Sequence, residues 1–141
     1  MTPDQARFLV IALLTGHGIA HGGAIGALWW IATHDGPTGG WAAARIWAMP
    51  TLAAATATNV AIAFWLVSML GFIAAGLSLA LLPTEAWRLL AIGSAAISLV
   101  GIVLFAGTWP PFNMLAALAA NIVVLGALLV AHWPPQALLA K

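Results

Sequence analysis

The sequence predicts an all-α integral membrane four-helix bundle with both termini on the same side. Three observations lead there. Of 141 residues, 64% are hydrophobic and only 5% are charged, against roughly 25% charged in a soluble domain. Mean hydropathy is +1.08. Four apolar stretches reach or approach the about 20 residues that a helix needs to cross a bilayer. The connections after the second and third stretches are short, which makes their helices antiparallel neighbours.

Met1-Thr-Pro-Asp-Gln-Ala-Arg7 carries one cation and one anion. A signal peptide has a basic start and an apolar core of about 7 to 15 residues. The run from Phe8 is longer, so residues 8–32 are read as a retained first span. The loop at 33–54 is the only long one. It opens on His34-Asp35-Gly-Pro-Thr-Gly-Gly40, which is turn chemistry. Trp41 to Met49 is expected as a short helix at the interface, an anchor or alternatively a lid. Span 2 covers 55–82 and ends at Pro83. Span 3 covers 88–106 and ends at Gly107 and the Trp109-Pro110-Pro111 turn. Span 4 covers 112–133 and ends at Pro134-Pro135. Residues 1–141 form a single transmembrane domain on this reading.

This topology places Arg7, Arg88 and Lys141 on one side and Arg45 on the other. The positive-inside rule then puts both termini in the cytoplasm of a bacterial inner membrane. Trp29, Trp30, Trp41, Trp47 and Trp109 are expected near the outer interface, and Trp87 and Trp133 near the inner one. Trp65 falls mid-span and is expected to pack or to line a cavity. The absence of cysteine excludes disulfides, thiolate nucleophiles, Cys-ligated zinc and iron–sulfur clusters. The scattered cations form no basic patch for nucleic acid.

Every span carries a polar residue near its centre. His17 and His21 lie one turn apart in span 1, inside Gly16-His-Gly-Ile-Ala-His-Gly-Gly23. Ser68 is central in span 2, Ser94 and Ser98 in span 3, and Asn121 in span 4. An unsatisfied polar side chain at this depth costs on the order of 1 to 3 kcal/mol. These faces should therefore turn inward and meet. Asn113, Ala117 and Asn121 share one face of span 4. His17 and His21 are the candidate catalytic groups, as acid/base or hydrogen-bond partners. Asn121, Ser68, Ser94, Ser98 and Trp65 are the candidate substrate-binding residues. Serines in membrane helices also bond the carbonyl one turn back, a purely structural use. No metal-ligating set is read, because His17-x-x-x-His21 lacks the adjacent Glu of a zinc-protease helix.

Gly18, Gly22 and Gly26 form a stripe for close helix approach, with Gly71 to Gly76 as its partner on span 2. The same missing side chains leave room for a flat ligand. A second polar set, His34, Asp35, Arg45, Asn59 and Asn113, lies at the outer end. There Asp35 can pair with Arg45, and His34-Asp35 has the composition of an acid–base dyad.

Through His17-Gly-Ile-Ala-His21, Gly71-Phe-Ile-Ala-Ala-Gly76 and Asn121, the chain resembles a group of small, largely uncharacterised bacterial four-span membrane proteins. Their first helix carries an HGxxH-like element and their second a GFxAAG-like one. The resemblance implies the four-span fold and no activity.

Three functions fit these features. The first is binding or transformation of an apolar lipid-soluble molecule: a quinone, isoprenoid, sterol-like or polyketide compound. The second is an accessory or assembly subunit of a larger membrane complex or homo-oligomer, with haem or a chlorophyll-type pigment on a histidine as a variant. The third is a proton path or transporter. It has the least support, because no Asp or Glu lies within any span.

Overall fold

The computed structural model describes residues 1–35, 38–82, 85–135 and 139. It is all-α. Helix α1 spans Pro3–Thr33, α2 Ala54–Leu81, α3 Ala86–Leu104 and α4 Pro111–Leu125. A π-turn over Gly126–Val130 continues α4. All four helices, α4 taken together with its π-turn as Pro111–Val130, are long and apolar enough to cross a membrane, and they pack as a bundle. This is a multi-pass membrane protein by helix length and hydropathy.

The expected boundaries shift by a few residues, for local reasons. Helix α1 starts five residues earlier than its apolar run. Thr2 and Gln5 form a reciprocal capping box and Pro3 occupies the first turn, satisfying amides that otherwise have no partner. Helix α3 stops at Leu104, ahead of Gly107, whose φ of +90° makes the following turn. Helix α4 and its π-turn end at Val130. The proposed stop of span 2 at Pro83, the Gly36-Pro37 turn and the cation Lys141 lie outside the described residues.

The contacts of two arginines establish the antiparallel arrangement. Arg7 near the start of α1 donates to Leu79 O at 2.7 Å and Ala80 O at 3.0 Å. It thereby caps the end of α2, where backbone carbonyls lack helical partners. Arg88 at the start of α3 pairs with Glu85 at 2.6 Å and donates to Pro134 O beyond α4. The start of α1 and the segment just beyond α4 thus lie at one end of the bundle, and the described residues of the 33–54 loop lie at the other.

Close approach depends on a few glycines. A Cβ on Gly18 would sit 2.9 Å from Met69 O on α2, and one on Gly76 would sit 2.4 Å from Thr15 Oγ1 on α1. Gly71 and Gly101 instead serve the α2–α3 contact, against Ser94 and Trp65. The stripe ends there: Gly22 makes only ordinary contact and Gly26 faces open space. Gly71 therefore belongs to a different interface from the one expected of it.

Two apolar clusters fill the interior. One includes Leu28, Ala61, Trp65, Phe105 and Trp109 near the loop end. The other includes Leu14, Phe72, Leu79 and Trp87 near the terminal end. Between them lie buried His21, Ser68, Ser98 and Asn121. The polar layer expected from matched depth is present.

The loop departs from expectation. Residues 41–49 do not form an interfacial helix; 41–46 have no regular structure and 46–49 make a turn at the mouth of the bundle. Their backbone groups are satisfied elsewhere. Ala42 N donates to Thr108 O at 2.9 Å, and the Trp47 indole donates to Val103 O at 2.7 Å. Ala44 and Ile46 are buried against the upper cluster. The aromatic belt is correspondingly smaller than expected. Trp29, Trp30 and Trp47 are exposed, but Trp109 and Trp87 are core residues, 8% and 1% exposed.

Candidate functional site

The polar layer is a hydrogen-bonded chain across three helices. Asn121 is fully buried on α4. Its Nδ2 donates to Ala117 O at 2.9 Å and to Ser98 Oγ at 2.8 Å. Ala117 O can only accept, so the amide orientation is determined by its partners. Asn121 Oδ1 then faces His17 Nε2 at 3.1 Å, and His17 must donate through Nε2. Ser98 Oγ, having accepted from Asn121, also meets His21 Nε2 at 3.4 Å. The Ser98 oxygen has a second lone pair and so can pair with either tautomer of His21, whereas His17, donating through Nε2, keeps Nδ1 as an acceptor. The two imidazoles meet edge-on, 5.0 Å between centroids.

Aromatic rings hold His21 in place. It is stacked between Phe72 and Trp65, at 6.0 and 6.1 Å, with Trp109 edge-on at 6.5 Å. Trp65 in turn reaches its position because Gly101 has no side chain to obstruct it. Among the described residues, His21 Nδ1, Trp65 Nε1, Trp109 Nε1 and Ser68 Oγ are buried without a hydrogen-bond partner. Such a group in an apolar interior costs about 1 to 3 kcal/mol, so this region holds unused hydrogen-bonding capacity.

A pocket of ≈ 450 Å³ opens beside this network, between α1 and α4. His17 and His21 form its polar wall. Ala20, Gly23 and Ala24 of α1 and Ala116 and Ala117 of α4 form its sides, while Trp41, Trp109 and Asn113 close the loop end. The slot exists because small side chains face each other there, and because α4 packs chiefly on α3 rather than on α1.

The structure therefore brings together four of the seven residues expected at the site: His17, His21, Ser98 and Asn121. Only the two histidines line the pocket; Asn121 and Ser98 lie behind them and orient them. Trp65 packs on His21 and does not border the pocket. Ser94 bonds Leu90 O at 2.7 Å, the backbone use open to any membrane serine. Ser68 is buried in the layer but lines no part of the pocket. The expected midplane cavity is thus displaced toward the loop end. Trp41 and Trp109 were not expected there, whereas Gly23 belongs to the glycine-rich run expected to leave room beside the histidines. The repeat Asn113-x-x-x-Ala117-x-x-x-Asn121 was the available signal, since its upper member sits on the rim.

The outer polar set does not assemble. His34 stacks on Trp30 at 3.8 Å and contacts Thr33 Oγ1 at 2.7 Å. Asp35 and Arg45 are exposed, and among the described residues the ion pair is Arg88–Glu85. No cluster of three or more His, Cys, Asp or Glu suited to a metal occurs among the described residues. No protein-family model, curated protein or solved structure matches this chain.

Proposed function

We propose that this protein binds a small lipid-soluble molecule in the slot between α1 and α4, with the polar end of that molecule on His17 and His21. One observation carries the reading: an oriented pair of imidazoles, backed by Asn121 and Ser98, borders a side-opening pocket lined by small side chains. Pockets for small molecules are commonly apolar with a few oriented polar groups. An opening between two membrane helices admits a molecule already dissolved in lipid. His17 Nδ1, free of a proton when Nε2 donates to Asn121, is the group able to accept one from it.

A structure determined in discs cut from the native membrane tests this reading. It should show an elongated molecule in the slot, with a polar atom within hydrogen-bond reach of His17 or His21. Side chains closed over the slot, with a second polypeptide bound to the bundle, would favour the accessory-subunit reading instead. A visible absorption band would point to haem or pigment.

The same reading places the loop end outside and the termini in the cytoplasm of a bacterial inner membrane, on the strength of Arg7 and Arg88 against Arg45. With Gly39→Cys and Glu85→Cys, an impermeant thiol reagent added outside should label position 39 and spare 85. Labelling of 85 alone would reverse the orientation.

A further inference from the structure

We infer that the ligand is a single-chain lipid with an uncharged head, its head beside His17 and its chain running along the seam between α1 and α4 toward the terminal end. This rests on the pocket reading above and specifies the class of molecule. The helices pack in sequence order, α1 on α2, α2 on α3 and α3 on α4. The bundle closes least tightly between α1 and α4, and two cavities lie along that seam. The upper one is the ≈ 450 Å³ pocket at the histidines. The lower one, of ≈ 90 Å³, lies toward the terminal end, bordered by Val10 and Leu14 of α1, Val124 and Ala127 opposite them, and Trp87.

Both cavities lie on one stripe of each helix. On α1, Val10, Leu14, His17, His21 and Ala24 recur every three or four residues, the spacing of a single helix face. The first two line the lower cavity and the other three the upper one. Across the seam, Asn113, Ala117, Val124 and Ala127 repeat the pattern, with half-buried Ala120 between the two cavities. The His17–Asn121 hydrogen bond joins the helices at the same level, at 3.1 Å. Asn121 is fully buried, so that bond lies at the floor of the seam and a chain passes over it on the lipid side.

Size and chemistry select the occupant. An apolar cavity of about 150 Å³ takes up a benzene ring. The lower cavity is smaller and its lining is apolar, which suits one hydrocarbon chain and not a fused ring system. From His17 to Val10, and from Ala117 to Ala127, the helices rise about 10 to 15 Å, the extended length of roughly eight to twelve chain carbons. Among the described residues no charged side chain lines either cavity. A carboxylate or phosphate head would therefore lose its hydration without gaining a counter-ion. His17 Nδ1 and the exposed amide of Asn113 are neutral partners, which a hydroxyl group complements.

The test uses the purified full chain in lipid discs and 1-dodecanol carrying a photoactivatable diazirine at carbon 3 or at carbon 11. Excess plain 1-dodecanol should lower labelling by either probe about tenfold. Peptide mapping should place the competed carbon-3 adducts on residues 17–24 and 113–117, and the competed carbon-11 adducts on residues 10–14 and 123–128. Cholesterol and dodecyl phosphate should each compete at least about fivefold more weakly than dodecanol. Ala127→Phe fills the lower cavity. It should cut competed carbon-11 labelling about five- to tenfold and leave labelling by 1-hexanol with a carbon-3 diazirine within about twofold. Competed adducts of both dodecanol probes confined to the upper cavity overturn the chain inference and leave the pocket standing. Cholesterol or dodecyl phosphate competing as well as dodecanol overturns the single chain or the uncharged head respectively. Absence of competed labelling by every probe overturns both this inference and the pocket reading. The adduct map of the unmodified protein decides the matter even if Ala127→Phe does not fold.

Discussion

Asn121→Leu should lower stability by about 1 to 3 kcal/mol and release both imidazoles from their single orientation. From sequence, Asn121 is one orienting group worth one hydrogen bond, about 0.5 to 1.5 kcal/mol. The structure gives it three partners: His17 Nε2, Ser98 Oγ and Ala117 O. Leucine has a similar shape and is at home among acyl chains, so the cost comes from the partners it strands. His17 Nε2–H loses its acceptor, and Ser98 loses its donor. Each stranded group costs about 1 to 3 kcal/mol in an apolar interior. Measured hydrogen-bond contributions between membrane helices are smaller, averaging roughly 0.6 kcal/mol, because the unfolded chain in lipid also finds partners. The two together set the expected range. Thermal unfolding in detergent measures the loss, and 15N shifts of the imidazole nitrogens report the tautomers. An unchanged midpoint with unchanged histidine shifts would show that the chain through Asn121 does not orient the pair.

The legible part of this protein is the part that lipid dictates. A bilayer offers no hydrogen bonds, and a helix rises 1.5 Å per residue. Position in the sequence therefore converts to depth, and His17, His21, Ser68, Ser98 and Asn121 could be placed in one layer. Lateral position was less legible. Ser94 and Ser98 share a helix face. Which of them meets Asn121 depends on the tilt and spacing of α3, and these are set by Gly71 and Gly101 against Ser94 and Trp65. Periodicity marks such glycines as small without saying which helix each one meets.

The aromatic residues show a second limit. Trp109 and Trp47 both stand near the loop end of the bundle, where a tryptophan normally marks the interface. Trp47 is exposed and Trp109 is buried. The difference arises from the path of residues 41–49, whose backbone bonds go to Leu104 and Thr108, with the Trp47 indole on Val103 O, all on the α3–α4 side. That pairing joins segments some 60 residues apart and has no local sequence signature. The pocket wall made by Trp41 and Trp109 follows from it, so the sequence reading put the cavity too deep.

The central claim is that a lipid-soluble molecule occupies the slot between α1 and α4, and Gly23→Leu tests it most directly. Gly23 lines the slot, and nothing lies within 4 Å of the place its Cβ would take. A Cβ there fits without forcing the helices apart, and the longer leucine side chain, borne by a pocket-lining position, is expected to narrow the slot. It also replaces a helix-interior glycine, which by itself should stabilise α1 by about 0.5 to 1 kcal/mol. Loss of ligand therefore cannot be ascribed to loss of fold. The measurement is mass spectrometry of small molecules extracted from unmodified and Gly23→Leu protein, both purified in native-membrane discs. The account predicts one apolar compound enriched in the unmodified protein and reduced about tenfold or more in the variant, an effect of at least about 1.4 kcal/mol, with the variant's unfolding midpoint equal or higher. The same compounds at the same levels in both proteins, with the fold intact, would contradict it.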